Sequence, residues 1–133
     1  MRVSWLVAFA PLLAVACGGA ASPSPQPQVA IQSSGARYAP LPPRAEVKLY
    51  KRRREPQTSF REVGRVTASC PVKYWEGGRE VRGGPVCLEG LKQGARKLGG
   101  QAVIHIRVKR TRPSWEPQRP WYVMRGHVVR LIH

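Results

Sequence analysis

The chain contains no aspartate and no asparagine, and its acidic residues are seven glutamates. The absence of aspartate excludes Ser-His-Asp triads, aspartyl dyads and EF-hand loops. Histidine is also scarce, with only His105, His127 and His133. No catalytic constellation is visible among the remaining residues. The sequence therefore predicts a protein that is not an enzyme and that requires no cofactor.

The apolar run near the amino terminus is too short to span a membrane. It extends from Val3 to Ala16, about fourteen residues, and follows the positive charge of Arg2. A spanning helix needs about 20 residues. A run of this length behind a basic residue is typical of the hydrophobic region of a signal peptide. We therefore predict a signal peptide over residues 1–16 and export from the cytoplasm.

The predicted signal peptide ends at Cys17, and the small residues at 14–16 (AVA) resemble the bacterial lipobox. In that motif the cysteine is acylated and becomes the first residue of the mature protein. The alternative is ordinary cleavage, because AVA is also an A-x-A site. Lipidation is favoured because Cys17 directly follows the cut and residues 18–27 have the Gly, Ser and Pro content of a tether. Gly18 resembles the outer-membrane class, so we expect an outer-membrane lipoprotein that faces the periplasm.

Cysteine parity supports the same interpretation. Three cysteines in an oxidising compartment leave one without a partner, and lipidation would use Cys17. Cys70 and Cys87 would then form a structural disulfide that closes a loop of about seventeen residues and contributes about 3 kcal/mol to stability. The alternative is a pair of reduced, buried cysteines. Their spacing is unlike that of a C-x-x-C redox or metal pair.

The hydrophobic pattern predicts one small basic domain over residues 44–133, preceded by a lipidated cysteine and tether over residues 17–43. Alternation of apolar residues predicts four strands, at residues 46–50, 60–68, 102–108 and 122–132. A helix is predicted after Pro85 from an apolar stripe at helical spacing, formed by Cys87, Leu91, Ala95 and Leu98. The fold class is therefore α+β, as a β-β-α-β-β domain with one helix packed on a four-stranded sheet.

Three details of this fold are also predicted. The apolar spacing slips by one residue around Gly64, which indicates a β-bulge. Residues 71–84 are expected to form a long loop, and residues 51–54 a charged hairpin tip. The connection from the second strand through the helix to the third is compatible with a parallel pair of strands. Gly90 and Gly94, four residues apart, are expected to pack closely against neighbouring backbone.

Several short motifs in the predicted domain resemble one fold family. They are Tyr50, the strand Phe60-x-x-Val63-Gly64-x-Val66, the helix-to-strand run from Leu91 to Ile104, and the closing run from Gly126 to Arg130. Over about residues 45–132 they resemble the RcsF-type envelope stress lipoproteins and the YbjQ-like small domains. The resemblance implies an acylated cysteine, a Pro-rich tether and a disulfide-stabilised domain. RcsF-type proteins carry two disulfides, whereas Cys70 and Cys87 allow one here.

The net charge of +16 predicts an anionic or interfacial partner. Nucleic acid is not expected, because an exported protein meets other polyanions first. Arginine beside exposed tryptophan suits phosphate and sugar surfaces, and it also suits protein interfaces. The alternative is that the tryptophans fold back over the sheet and the arginines are solvated. The candidate binding residues are Arg52, Arg53, Arg54, Trp75, Arg79, Trp115, Arg119 and Trp121.

His105 and His127 are weak metal candidates. If the third and fourth predicted strands pair, the two side chains approach each other on the exposed face, but a closed zinc site needs four ligands. His133 is expected to fray at the chain end. The leading functional prediction is a non-enzymatic sensor or adaptor, anchored to the membrane by its lipid, that binds another envelope component. The alternatives are an electrostatic tether to lipopolysaccharide or cell-wall polyanions, and a metal or small-ligand module.

Overall fold

The computed structural model describes residues 26–35 and 37–132. Their secondary structure comprises β1 (Gln28–Ser33), β2 (Lys48–Lys51), β3 (Phe60–Pro71), β4 (Lys73–Glu76), β5 (Arg79–Arg82), α1 (Gly84–Lys97), β6 (Ala102–Thr111) and β7 (Trp121–Leu131). The predicted signal peptide, Cys17 and His133 lie outside the described residues. Within the described ranges, no helix is both long enough and apolar enough to cross a membrane.

Five strands form one mixed sheet in the order β1-β3-β7-β6-β2, and β4 and β5 form a separate hairpin. Every pair in the large sheet is antiparallel except β2 with β6. The α+β class with a single helix is therefore confirmed. The predicted count of four strands is wrong, because it omits β1 and the β4–β5 hairpin.

Strand β1 lies inside the segment that was predicted to be tether. It pairs with β3 along its whole length, from Gln28 opposite Ser69 to Ser33 opposite Gly64. Its side chains at Val29 and Ile31 also reach α1, where a Cβ added at Gly94 would touch both. Two apolar residues beside a Pro-rich stretch are too few to predict a strand. The sheet edge of β3 and the glycine face of α1 therefore stabilise β1 through tertiary contacts.

The segment between β3 and α1 is a hairpin rather than the predicted loop. Strands β4 and β5 pair from Lys73 opposite Arg82 to Glu76 opposite Arg79. The turn consists of Gly77 and Gly78, which have φ angles of +59° and +79°. Two consecutive residues at positive φ match the twist of a two-residue hairpin, and glycine adopts this conformation without steric cost.

The parallel pair of strands is not the predicted pair, which would have joined the second and third predicted strands. The first predicted strand, β2, lies parallel to β6, whereas β3 is separated from β6 by β7. Residues 51–54 are therefore not a hairpin tip, because β2 and β3 are not neighbours in the sheet. The bulge near Gly64 is present, as the pairing of β3 with β7 shifts register between Glu62 and Gly64.

Helix α1 packs on one face of the sheet, as its apolar stripe predicts. Proline occupies its first turn, and Cys87, Leu91 and Ala95 are fully buried. A Cβ at Gly94 would collide with Val66 of β3, and one at Gly90 would press on Pro27 and Ala68. The two glycines therefore let the helix approach the sheet more closely than any larger residue would allow.

A disulfide between Cys70 of β3 and Cys87 of α1 confirms the predicted pairing. Their Cα atoms are 5.7 Å apart, and the two residues are separated by 17 positions. Both side chains are fully buried within the main core. The disulfide thus fixes the first turns of the helix to the end of the longest strand, where it limits the freedom of the unfolded chain.

Candidate functional site: a basic face of the sheet

The face of the sheet opposite α1 carries the residues that alternate with the core. On β3, Val66 and Ala68 are buried under the helix, so Arg65 and Thr67 point the other way. On β7, Arg125 and His127 alternate with core residues in the same manner. We call the middle of this surface the open face, and it is formed by Arg65, Thr67, Arg107, Arg125 and His127.

One end of the same surface is covered rather than open. Ala102, Ile104 and Val129 form a second small apolar cluster, against which Tyr50 and Phe60 pack. The middle contains a shallow trough of about 720 Å³, which is lined by the open face and also by Gln32 and His105, among others. The accessible part of the surface is therefore polar and basic.

Strand register aligns the basic side chains across three neighbouring strands. Arg107 of β6 lies directly opposite Arg125 of β7, and Arg125 lies opposite Thr67 of β3. Arg65 lies opposite His127, one row along the strands. Directly opposite residues on neighbouring strands have Cβ atoms about 5 Å apart, and two side chains of like charge in such a pair destabilise the sheet. An anion bound between the arginine side chains would therefore reduce the repulsion between them.

Glutamate lies beside two members of the open face, Arg65 and His127. Glu62 Oε1 lies 2.8 Å from His127 Nδ1 and 3.7 Å from Arg65 Nε. Among residues 26–35 and 37–132, no ion pair involves Arg107 or Arg125. Their guanidinium groups present planar N–H donors, which match the oxygens of phosphate or carboxylate groups. The arrangement can therefore bind an anion by charge-assisted hydrogen bonds.

A β-bulge at His105 sets which residues of β6 reach this face. His105 has a φ of +53°, and the register with β7 shifts between Ile104 and Arg107. Ile104 belongs to the small cluster on the open side, whereas Ile106 packs against the main core. In a regular strand Ile104 and Ile106 would lie on the same side, and the bulge places them on opposite sides. The extra residue reverses the alternation, and it brings Arg107 opposite Arg125.

The structure brings His105 and His127 together, with ring centroids 5.8 Å apart and ring planes perpendicular. Each also has a carboxylate neighbour that is distant from it in the sequence. His105 Nε2 lies 2.9 Å from Glu55 Oε2, and His127 contacts Glu62 as described above. In the part of the chain that the structure describes, no three or more His, Cys or Glu residues are grouped closely enough to hold a metal ion.

The predicted tryptophans separate into two kinds. Trp75 and Trp115 are exposed, at 71% and 67% of their surface, whereas Trp121 is only 8% exposed. The Trp121 indole Nε1 donates a 2.9 Å hydrogen bond to Glu116 Oε1. Its ring meets that of Trp115 edge to face, with centroids 5.8 Å apart. Trp121 is therefore buried beside Glu116 and Trp115, whereas Trp75 and Trp115 stay exposed.

Arg119 is held by Glu116 rather than exposed as a free ligand. Its Nε and Nη2 donate to the two carboxylate oxygens at 2.6 Å and 2.9 Å. The hydrogen bonds from Arg119, and then from Trp121, hold the pKa of Glu116 below its ordinary value. Arg119 and Trp121 thus order the loop between β6 and β7.

The other predicted binding residues are placed apart from the open face. Arg52, Arg53 and Arg54 are exposed on the connection from β2 to β3, and Arg52 and Arg54 line a separate hollow. Arg79 is exposed on β5 of the hairpin. The structure therefore distributes these candidates over several surfaces and does not form one site from them.

Arg65, Arg107 and Arg125 were not among the binding residues predicted from the sequence. A signal for them was present, because each is a basic residue at an alternate position of a strand whose other face is apolar. Strand pairing is needed to show that they are neighbours, and the bulge at His105 is needed to align Arg107. The chain matches no protein-family model, no curated protein and no solved structure. The resemblance to RcsF-type lipoproteins stays a prediction, and the functional argument rests on the site.

Proposed function

We propose that this protein is a non-enzymatic, lipid-anchored module of the bacterial envelope whose open face binds an anionic envelope component. The observation that carries the proposal is the pair Arg107 and Arg125, which lie directly opposite each other on adjacent strands. Neither is in an ion pair within the described ranges. Two like charges in this position destabilise the folded protein. We propose that the pair is present because it binds an anion.

The favoured ligand is a polymer or glycolipid that carries phosphate groups, such as lipopolysaccharide or an anionic cell-wall polymer. Phosphate accepts two parallel hydrogen bonds from an arginine, and the open face offers three arginines on adjoining strands. The trough is shallow, which suits a repeated charged surface better than a small enclosed ligand. The mature chain, without Arg2, has 22 Lys and Arg against 7 Glu, and this net charge of +15 would also accelerate encounter with such a polymer.

Membrane attachment through Cys17 is the second part of the proposal. The lipobox-like residues before Cys17 and the Gly-, Ser- and Pro-rich residues after it support acylation, and Gly18 supports an outer-membrane location facing the periplasm. The intact mass of the mature protein tests this part. A mass equal to residues 17–133 plus acyl chains is expected, and an unmodified residue 17 would refute the anchor.

Binding to purified lipopolysaccharide tests the open face, with the full mature chain in detergent and salt as the variable. The variant Arg107→Gln with Arg125→Gln should bind about tenfold or more weakly, because it removes charge-assisted hydrogen bonds. Binding of the unaltered protein should weaken steeply as salt rises, because the interaction is ionic.

The matched control is Lys92→Gln with Lys97→Gln, which removes the same charge from helix α1 on the opposite layer. It should leave lipopolysaccharide binding within about twofold of the unaltered protein, because surface charges there are screened. An equal loss in both variants would mean that only net charge matters, and the open face would not be a site.

A second candidate is a sensor or adaptor for an envelope protein, as the RcsF-like resemblance implies. The exposure of Trp75 and Trp115 favours it, because tryptophan dominates the energetics of many protein interfaces. Cross-linking of the tagged lipoprotein in cells separates the two candidates. Capture of one defined protein, unaffected by high salt and by the Arg107 and Arg125 substitutions, would favour the adaptor.

A further inference from the structure

Both exposed tryptophans lie in segments that leave the same end of the large sheet. Pro71, the last residue of β3, pairs with Trp121, the first residue of β7, and Trp121 pairs with Thr111, the last residue of β6. The hairpin with Trp75 follows Pro71 directly, and the loop with Trp115 joins Thr111 to Trp121. We call residues 71–83 and 110–121 together the tryptophan end.

The chain enters the domain at this same end. The first residue of β1, Gln28, pairs with Ser69, two residues before Pro71. The preceding Pro27 lies against Gly90, in the first half of α1, which itself begins next to the hairpin. An anchor on the amino-terminal segment would therefore be attached at the tryptophan end and not at the opposite end of the sheet.

The structure also shortens the distance between the proposed anchor and the domain. Because β1 begins at Gln28, ten residues separate it from Cys17. A chain of that length spans at most about 35 Å when it is fully extended. An acylated Cys17 would therefore hold the start of β1, at the tryptophan end, within about 35 Å of the lipid headgroups.

The chemistry of the tryptophan end suits such a surface. Its two segments contain six basic residues against three glutamates. Lys73 pairs with Glu80 and Arg119 with Glu116, which leaves Arg79, Arg82, Arg110 and Arg112 outside the ion pairs of the described chain. Tryptophan prefers the membrane–water interface, and basic residues bind anionic headgroups.

We propose that the tryptophan end docks on the anionic lipid surface of the membrane that holds the chain, with Trp75 and Trp115 inserted at headgroup level. This inference rests on the proposed lipid anchor. The sheet strands then lead away from the membrane, and the open face is left free for its partner. Docking adds a second membrane contact to the single acylated cysteine.

Quenching of tryptophan fluorescence by brominated lipids tests the docking. The full mature protein is placed in vesicles of phosphatidylglycerol and phosphatidylethanolamine whose acyl chains carry bromine near the headgroup. Emission from Trp75 and Trp115 should be quenched. The variant Trp75→Phe with Trp115→Phe should lose this quenching although Trp121 remains, because Trp121 is buried. Absence of quenching in the unaltered, membrane-anchored protein would overturn the proposal.

Two comparisons make the result specific. Ile132→Ser removes an exposed apolar residue at the opposite end of the sheet and should leave quenching unchanged. Replacing phosphatidylglycerol with phosphatidylcholine should reduce quenching, because the attraction of the arginines is lost. Equal quenching of the Trp75 and Trp115 double variant, or equal quenching in neutral vesicles, would each contradict the proposed surface.

The proposed anchor and the proposed docking surface can be refuted independently of each other. Intact mass of the same sample reports acylation of Cys17 directly. If the protein carries no acyl chain, vesicles are added to it in solution. The unaltered protein should then still bind anionic vesicles at least about tenfold more tightly than neutral ones, with quenching that the Trp75 and Trp115 double variant loses and the Arg107 and Arg125 double variant keeps. If the protein is acylated but its tryptophans are not quenched, the anchor stands and the docking proposal is wrong.

Discussion

The two faces of the sheet differ in chemistry although the same strands form both. Under α1, β3 and β7 present small apolar side chains, two helix glycines complete the fit, and a disulfide joins the layers. On the open face, the alternate residues of these strands are arginine, threonine and histidine, and like charges face each other across β6 and β7. The covered face gains stability by close packing, whereas the open face places like charges opposite each other, which costs some stability.

The difference implies that substitutions one residue apart on a strand have different consequences. A change on the covered face should alter the free energy of unfolding and leave binding intact wherever the protein still folds. A change on the open face should alter binding with little effect on stability.

Gly94→Val should break the covered face. Any Cβ at this position collides with Val66, and valine adds two further carbons. We expect the free energy of unfolding to fall by about 3 kcal/mol, or the protein not to fold. Equilibrium urea unfolding measures the change. Gly84→Ala is the control, since a Cβ there meets nothing within 4 Å. Equal midpoints for the two variants would contradict the packing described here.

Removal of the disulfide should have a similar but slightly smaller effect. Cys70→Ala with Cys87→Ala opens a connection of 17 positions and should cost about 3 kcal/mol or less. Thermal unfolding of the variant, compared with the oxidised protein, measures the loss. Binding of lipopolysaccharide below the melting temperature should be unchanged. A variant as stable as the oxidised protein would contradict a structural role for the disulfide.

Two arginines on opposite sides of the sheet should respond differently. Arg96 of α1 donates a 2.7 Å hydrogen bond to the Ala45 carbonyl, and Arg96→Gln should reduce stability by about 1–2 kcal/mol. Arg107→Thr should leave stability unchanged or raise it by about 0.5 kcal/mol, because it removes the repulsion from Arg125. Urea unfolding at low salt measures the change in the free energy of unfolding for both variants. A large loss for Arg107→Thr would show that Arg107 has a structural role.

The smallest effect concerns the loop between β6 and β7. Arg119 and Trp121 hold the pKa of Glu116 below its ordinary value, so the charged carboxylate is favoured in the folded protein. The stabilisation is therefore complete above the ordinary pKa and is lost as the pH falls through the lowered one. The indole N–H resonance of Trp121 should shift in that acidic range. In Glu116→Gln this shift should be absent, and its persistence would assign it to another group.

The sequence by itself determined the elements that depend on local pattern and composition. The stripe from Cys87 to Leu98 determines one helix, and alternation determines β2, β3, β6 and β7 to within a few residues. The α+β class, the bulge near Gly64 and the Cys70–Cys87 disulfide follow from the same kind of signal. These features were predictable because period, spacing and parity are properties of the chain alone.

Only the tertiary structure decided the features that depend on a neighbour. Strand β1 has two apolar side chains, and it forms because β3 offers a free edge and Gly94 offers space. The parallel pairing of β2 with β6 likewise depends on where the crossover places each strand. Residues 28–33, which were predicted as part of the tether, therefore belong to the sheet.

The candidate site was almost wholly a tertiary outcome. Arg65, Arg107 and Arg125 are distant in sequence and become neighbours through the register of β3, β7 and β6. The bulge at His105 reverses the alternation of β6, and only this reversal places Arg107 opposite Arg125. Charge can be counted from a sequence, but its placement on one face requires strand register, which long-range hydrogen bonds and packing decide.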